Sequence, residues 1–539
     1  MVVSLILTPA AFADAIADQE ALRTEVEQLM QVGRLTIGEA DIASGELLTE
    51  FYERRDYAPA WNDDEQIDEL IAAIKASEKD GLDSSDYHLG AVMAARDAIA
   101  AGALDTSAEK ADVDLVLTDS LIRLGYHERF GKVNPYSLDP HWNFRREIND
   151  MHPATAIQEA IDSDSLIEYL RTVFPRGWVY TQLRDGLARY REIAANGGWP
   201  QMPAGPTLRP GAADPRLSVL MQRLAATGDM EYIQTFAPVT EYDSVIQAGV
   251  RQFQKRHGLD TDAIIGKATI AALNVPVEKR VKQLEINLER ARWVLDDIED
   301  DFILVNIAGF RAYLMRDREI AWETKVQVGT AYHQSPVFRD EMKYVVFNPT
   351  WTVPYSIASK EMLPAIQADP EYFQKRDFDV KDRSGNIIDP STVDWSSVTR
   401  RTFGYTLVQR PGPANALGRV KFMFPNEHAV YLHDTPSKYL FGQAERAFSH
   451  GCIRVENPYE FAELLLGAGW DQDKIAATLD SKETKTVLLP KPLPVLLMYW
   501  TAIVNKAGEV YFYNDVYERD PSIAAALDEP FALDLPGSP

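Results

Sequence analysis

Near residue 300 the hydrophobic pattern changes its period, and that change divides the chain between two kinds of structure. From residue 18 to about 205 apolar residues recur at helical spacing, as in ALRTEVEQLMQVG and DELIAAIKASEKDGL, the latter with Gly81 in the position of a C-cap. LVLTDSLIRLGYHERFG and LRDGLARYREIAANGG continue that spacing. From FILVNIAGFRAYLMRDREIAWETKVQVG, residues 302–329, the pattern becomes near-alternation enriched in Ile, Val, Phe and Tyr, as strands with one buried face require. One core cannot serve both patterns over 539 residues, so the expected fold is multidomain α+β with two to four domains.

Composition shifts supply the expected boundaries. The stretch PQMPAGPTLRPGAADP (200–215) is dense in Pro and Gly and reads as a linker or exposed loop closing a helical region of residues 18–215. SVIQAGVRQFQKRHGLDTDAIIGKATIAALNVP (244–276) follows. Val245, Val250 and Phe253 there sit near one helical face, Ile270 and Leu273 on a second helix, and Gly258 and Gly266 mark turns. This predicts a small three-helix module within residues 216–285. A β-rich domain is expected over 298–488, interrupted by a charged, turn-rich insert (355–403) able to fold over a cleft as a cap. Residues 489–539 form a carboxyl-terminal extension, with VLLMYWTAIV (495–504) expected as a hairpin strand turning at Asn505–Gly508.

The net charge of −26 argues against a general nucleic-acid binder, which needs clustered Lys and Arg. Val2 to Ala13 is apolar, and Ala11-Phe12-Ala13 fits a small-residue cleavage site before Asp14, although the first positive charge is only Arg23. Residues 1–17 are therefore expected to be an export signal. Export normally brings an oxidising compartment, yet the single cysteine, Cys452, cannot form an internal disulfide. Such a thiol is either an inert buried residue or a reactive one.

Its surroundings allow chemistry. A thiol attacks as thiolate and needs a nearby base or cation, and His450 and His433 stand two and 19 residues before Cys452. A strand ending at His433, followed by a return to Cys452, would bring imidazole and thiol together for covalent acyl transfer. Gly451 permits close backbone approach, the amides of Gly451 and Cys452 suit an oxyanion, and Arg454 suits a substrate carboxylate. Two other readings stay open at this point. Cys452 and the histidines could be core residues, or His433, His450 and Cys452 could hold zinc with water or Asp434 as a fourth ligand.

H-D-T-P (433–436) followed by S-H-G-C-I-R-V (449–455) resembles the L,D-transpeptidase (YkuD-type) catalytic domain. N-P-T-W-T-V-P (348–354) and P-G-P-A-N-A-L-G-R-V-K-F (411–422) extend the likeness over roughly 300–488. The resemblance implies Cys452 as nucleophile and His433 as base, supported by His450 and Ser449. Gly451 and Cys452 then supply the oxyanion amides, Arg454 anchors a carboxylate, and Tyr431 and Trp351 line the site. No metal or cofactor is implied. The module at 244–276 resembles a peptidoglycan-binding domain, but has Asp262-Ala263 where that family commonly has Asp-Gly. FYERRDYAPAW (51–61) and DGLDSSDYH (80–88) resemble the scaffold region of the large Gram-negative members. The implied protein is a periplasmic enzyme that forms 3–3 cross-links between peptidoglycan tetrapeptide stems, releases D-Ala and reacts with carbapenem-type inhibitors. Other cell-wall enzymes are possible partners. L,D-carboxypeptidase activity, lipoprotein attachment by the same site, or a non-catalytic wall-binding scaffold are the alternatives.

Overall fold

The computed structural model describes residues 9–139, 142–144, 152–173, 177–231, 239–294, 298–369 and 371–533. Residues 1–8 of the expected export signal lie outside these. A helix over Pro9–Val32 runs through the anticipated cleavage point and buries Leu22, Val26 and Leu29 in the amino-terminal core.

That core is built by helices Gly45–Arg54, Asp64–Ser77, Ser107–Phe130 and Pro153–Ile161, beside a short hairpin of β1 (Leu35–Ile37) and β2 (Ala40–Ile42). The 107–130 helix starts at a capping box between Thr106 and Glu109, and its second half is buried on nearly every side. Its buried acids are satisfied locally. Asp114 accepts the Tyr52 hydroxyl at 2.7 Å and the amides of Ala60 and Trp61, while Asp119 takes Arg123 at 2.6 Å and His88 at 2.9 Å. The stretches 51–61 and 80–88 are thus pinned to this helix, which is a structural role. Gly81 lies at φ +75°, and a Cβ there would sit 3.3 Å from the backbone of Glu285, so the turn lets the 277–292 helix pass.

Leu217–Ala226, Ser244–Arg256 and Lys267–Leu273 are the three helices of the next module. Two expectations change here. Val245 is 53% exposed and Ile246 takes its place, because Ile246, Val250 and Phe253 keep an i, i+4, i+7 register facing the core. Residues 200–215 are not a free linker: Met202 and Leu208 are buried in the module, and Leu208 bridges to Ile265. Ala263 is fully buried at φ +59°, a left-handed position that accounts for the glycine common at this point in similar modules.

Beyond residue 300 the strands are β3 (Phe302–Asn306), β4 (Arg311–Arg316), β5 (Glu319–Gly329) and β6 (Phe338–Phe347). They continue with β7 (Trp351–Thr352), β8 (Phe378–Lys381), β9 (Ile387–Ile388), β10 (Thr406–Gln409) and β11 (Val420–Met423). β12 (Leu432–His433), β13 (Ala447–Ser449), β14 (Ile453–Val455), β15 (Lys485–Met498), β16 (Ala502–Val504) and β17 (Val510–Phe512) complete the set. Nine of them form one sheet in the order β13-β5-β14-β12-β11-β6-β15-β3-β4, and a β4–β5 pairing closes it into a barrel. β15 runs past residue 488 to Met498. Its pairing with β6 shifts register between Leu488 and Leu493, where Pro490 and Pro492 withhold ladder donors. Of the stretch 495–504, the first four residues therefore belong to the barrel, and only Ala502–Val504 forms the hairpin with β17.

The expected cap is a subdomain with its own sheet, β7-β10-β8-β9, and its own core around Met362, Ile366, Phe378, Val380 and Leu407. Its sheet also takes in β7 and β10, which flank the 355–403 insert on either side. Helix Val277–Arg292 joins the large units. Glu289 accepts the Val133 amide at 2.7 Å and pairs with Arg292, while Arg290 reaches Asp520 at 2.6 Å.

Candidate active site

Three pairings define one face of the barrel. Lys421 on β11 lies opposite His433 on β12, His433 lies beside Arg454 on β14, and Arg454 lies opposite Gln327 on β5. Paired residues project to the same side, so these four side chains form a row across four strands. Two residues earlier on the parallel pair β12 and β14, Tyr431 and Cys452 form the next row. The intervening residues Val420, Phe422, Leu432, Ile453 and Val455 point the other way into the barrel core. The period-two alternation of these short segments is what places every polar group outside.

The half-buried Cys452 Sγ lies 3.9 Å from the Ala429 carbonyl. Burial pushes the thiol up from its ordinary value. The Tyr431 amide and hydroxyl and the charges of Lys421 and Arg454 work against that rise. Lys421 Nζ sits 3.7 Å from the Tyr431 ring centroid. Burial lowers the Lys421 ammonium and the thiolate supports it. His433 is 4% exposed, and burial, with Arg454 and Lys421 adding to it, lowers its pKa to about 3. The ring is therefore neutral at pH 7. Its Nδ1–H donates to the Asp434 carbonyl at 2.5 Å, and the Leu417 carbonyl also lies within reach of the ring. Asp434 is itself held by the Arg419 amide (2.8 Å) and Lys438 (2.5 Å), and a Cβ on Gly418 would collide with it. No hydrogen bond joins Cys452 and His433 among the described residues; the two are diagonal neighbours on adjacent strands.

The loop before the thiol is tightly bonded. Ser449 Oγ donates to the Cys452 carbonyl at 2.6 Å and accepts the Gly451 amide at 3.1 Å, with Gly451 at φ +112°. Of the two amides expected to face an oxyanion, that of Gly451 is thus committed to Ser449. The Cys452 amide has no partner among the described residues. His450 turns away from the thiol to Glu361 of the cap, at 2.9 and 3.1 Å, with its ring beside His333. His433, His450 and Cys452 therefore do not converge as a zinc-ligand set. Among the described residues no group of three or more His, Cys, Asp or Glu is placed to hold a metal ion. Arg454 donates to Gln327 at 3.1 Å. Its Nε is buried without a partner, and no carboxylate pairs with it among the described residues. Trp351, at the start of β7, is partly buried and packs against the cap core near Phe378.

The family model of the L,D-transpeptidase catalytic domain matches residues 300–487, the range that holds these strands. The chain carries an L,D-transpeptidase catalytic domain. A scaffold-domain model matches 46–187 and a peptidoglycan-binding-domain model matches 214–273. A Haemophilus influenzae protein, itself assigned as an L,D-transpeptidase only by inference, is 35% identical over 256 residues. That match covers 47% of this chain and about half of the relative's length, 51%. Crystal structures of L,D-transpeptidases from Xylanimonas cellulosilytica and Stackebrandtia nassauensis are 15% and 13% identical. They cover 55% and 56% of this chain and 99% and 96% of their own, at TM-scores of 0.18 and 0.21.

Three residues of the candidate site lie outside the site residues singled out above. Lys421 was legible in principle, since alternation along VKF puts it on the face opposite Val420 and Phe422. Gln327 and Glu361 were not, because each reaches the site from an element about 90 or more residues away in sequence.

Proposed function

We propose that the chain is a cysteine-dependent L,D-transpeptidase that joins peptidoglycan tetrapeptide stems by 3–3 cross-links. The observation that carries this is the pairing, on one face, of the Cys452–His433 couple with a buried Arg454 that lacks a carboxylate partner among the described residues. A guanidinium in that state suits the carboxylate of a donor stem.

In the first step the Cys452 thiol passes its proton to His433. The sulfur attacks the carbonyl linking the L-centre of meso-diaminopimelate to the terminal D-Ala, and the oxyanion faces the Cys452 amide. His433 returns the proton to the departing D-Ala amine, leaving a thioester. The side-chain amine of a second stem then attacks, loses its proton to His433 and releases the thiol. An imidazolium whose pKa has been pushed down so far is a strong acid, which favours prompt protonation of the leaving amine. A substrate carboxylate on Arg454 would neutralise one of the charges that depress His433. It would thereby raise the ring's basicity only once donor is bound. Tyr431 lines the thiol in this reading, Ser449 shapes the turn, and His450 ties the turn to the cap, which covers the donor and limits water at the thioester. No cofactor is required. The place of action is the cell wall outside the cytoplasm, in the periplasm for a Gram-negative envelope, and carbapenems should acylate the same sulfur.

The test incubates purified wild type and Cys452→Ala with tetrapeptide muropeptides and resolves products by mass spectrometry. Cross-linked dimers and free D-Ala from wild type alone are expected. Tripeptide monomers without dimers would assign an L,D-carboxypeptidase instead, and equal product from both proteins would end the thiol mechanism.

A further inference from the structure

The carboxyl-terminal extension lies beyond the catalytic-domain match at 300–487, yet it braces the turn at Gly329–Ser335 that in turn holds the loop carrying Cys452. Tyr517, 5% exposed, donates its hydroxyl proton to the Gly329 carbonyl at 2.6 Å and accepts the Ser335 amide at 3.2 Å. Ser335 is fully buried. Its hydroxyl accepts the Gly329 amide at 3.0 Å and donates to the Gly451 carbonyl at 2.7 Å. Tyr517 is held in turn by its own extension: its amide donates to Tyr499 Oη at 2.9 Å, the Tyr499 hydroxyl donates to Asp515 at 2.6 Å, and the two rings stack.

The Gly451 carbonyl and the Cys452 N–H belong to one planar trans peptide unit, so they point in opposite directions. Drawing the carbonyl inward onto buried Ser335 turns the Cys452 N–H outward. That amide is the one left free when Ser449 takes the amide of Gly451. We propose that Tyr517 and Ser335 are positioning residues that aim the Cys452 amide as the oxyanion donor, so that the carboxyl-terminal extension completes the active site. Gly329 is where the two supports meet. A Cβ there would fall 2.0 Å from the His333 carbonyl, so the turn that presents Ser335 has little room to reorganise.

The proposal rests on acyl transfer at Cys452, and its test is independent of the natural substrate. Full-length wild type, Tyr517→Phe and Ser335→Ala are compared in two reactions of the same thiol. Acylation by p-nitrophenyl acetate passes through an oxyanion; alkylation by iodoacetamide does not. Removing an oxyanion donor outright costs on the order of 10²–10³-fold, so a donor that has only lost its aim should slow acylation about tenfold. Alkylation should stay within about twofold in the same samples, because thiolate attack on an alkyl halide gains nothing from an oxyanion donor. Melting temperature and circular dichroism identify any variant that fails to fold, and Ser335→Ala, which removes a single oxygen, decides the matter if Tyr517→Phe does. Equal slowing of both reactions would reveal a general loosening of the loop and overturn the proposal. Unchanged acylation would overturn it as well. Failure of wild type to turn over muropeptides would count against the transpeptidase reading and leave this comparison intact.

Discussion

Burial and charge pull the Cys452 thiol in opposite directions, and burial prevails, so the resting couple is a neutral thiol beside a neutral imidazole. Alkylation by iodoacetamide should therefore rise with pH through a midpoint above the ordinary thiol value of about 8.5. Lys421→Met removes one of the two opposing charges and should lift that midpoint further. A midpoint of about 6 would instead mark a preformed thiolate and contradict this picture. The pair of Cys452 and His433 was legible in the sequence, because H-D-T-P and S-H-G-C-I-R-V are short and the side-chain period of a strand is local. The fate of the Gly451 amide was not. Whether an N–H faces substrate or a neighbouring Ser449 depends on one peptide rotation that residue identity leaves open.

The cap is the element that most exceeded its sequence description. Its charged, turn-rich composition suggested a cap able to fold over a cleft, with no sign of a core of its own; Leu407 on β10 is fully buried between β7 and β8 in a core that shares no buried residue with the barrel cluster. Leu407→Ala should cost about 2–5 kcal/mol, enough to open the cap while leaving the barrel folded. Limited proteolysis with mass mapping should then find first cuts within 351–409 and a resistant remainder. Simultaneous digestion of barrel and cap would show that the two fold as one unit. The stretch 200–215 carries a related lesson. Pro and Gly mark a break in regular structure, but they do not say whether the broken segment packs, and here Met202 and Leu208 supply core side chains between the turns.

Among the described residues of the whole molecule, one buried histidine sits in each major unit: His127 in the helical region, His257 in the three-helix module and His433 in the barrel. Burial lowers all three below the ordinary value of 6.5. The unfolded chain thus binds protons that the folded chain refuses. The stability these residues contribute is complete above pH 6.5 and declines as pH falls below it, with a limiting slope of ~4 kcal/mol per pH unit if all three units unfold together. Thermal unfolding should show a lower Tm at pH 5.5 than at pH 7.5, and a flat Tm across that range would contradict the assignment of these rings as neutral. The primary structure alone determined the succession of helical and β domains, singled out the pair proposed as nucleophile and base, and set the face each strand residue occupies. All of these follow from motifs, periods and turn preferences spanning a few residues. Folding in three dimensions decided which distant groups complete the site. Glu361 meets His450 across 89 positions, Ser335 meets Gly451 across 116, Gln327 meets Arg454 across 127 and Tyr517 meets Gly329 across 188. Such contacts arise from sheet order and barrel closure, and no local pattern records which far segment will arrive beside which.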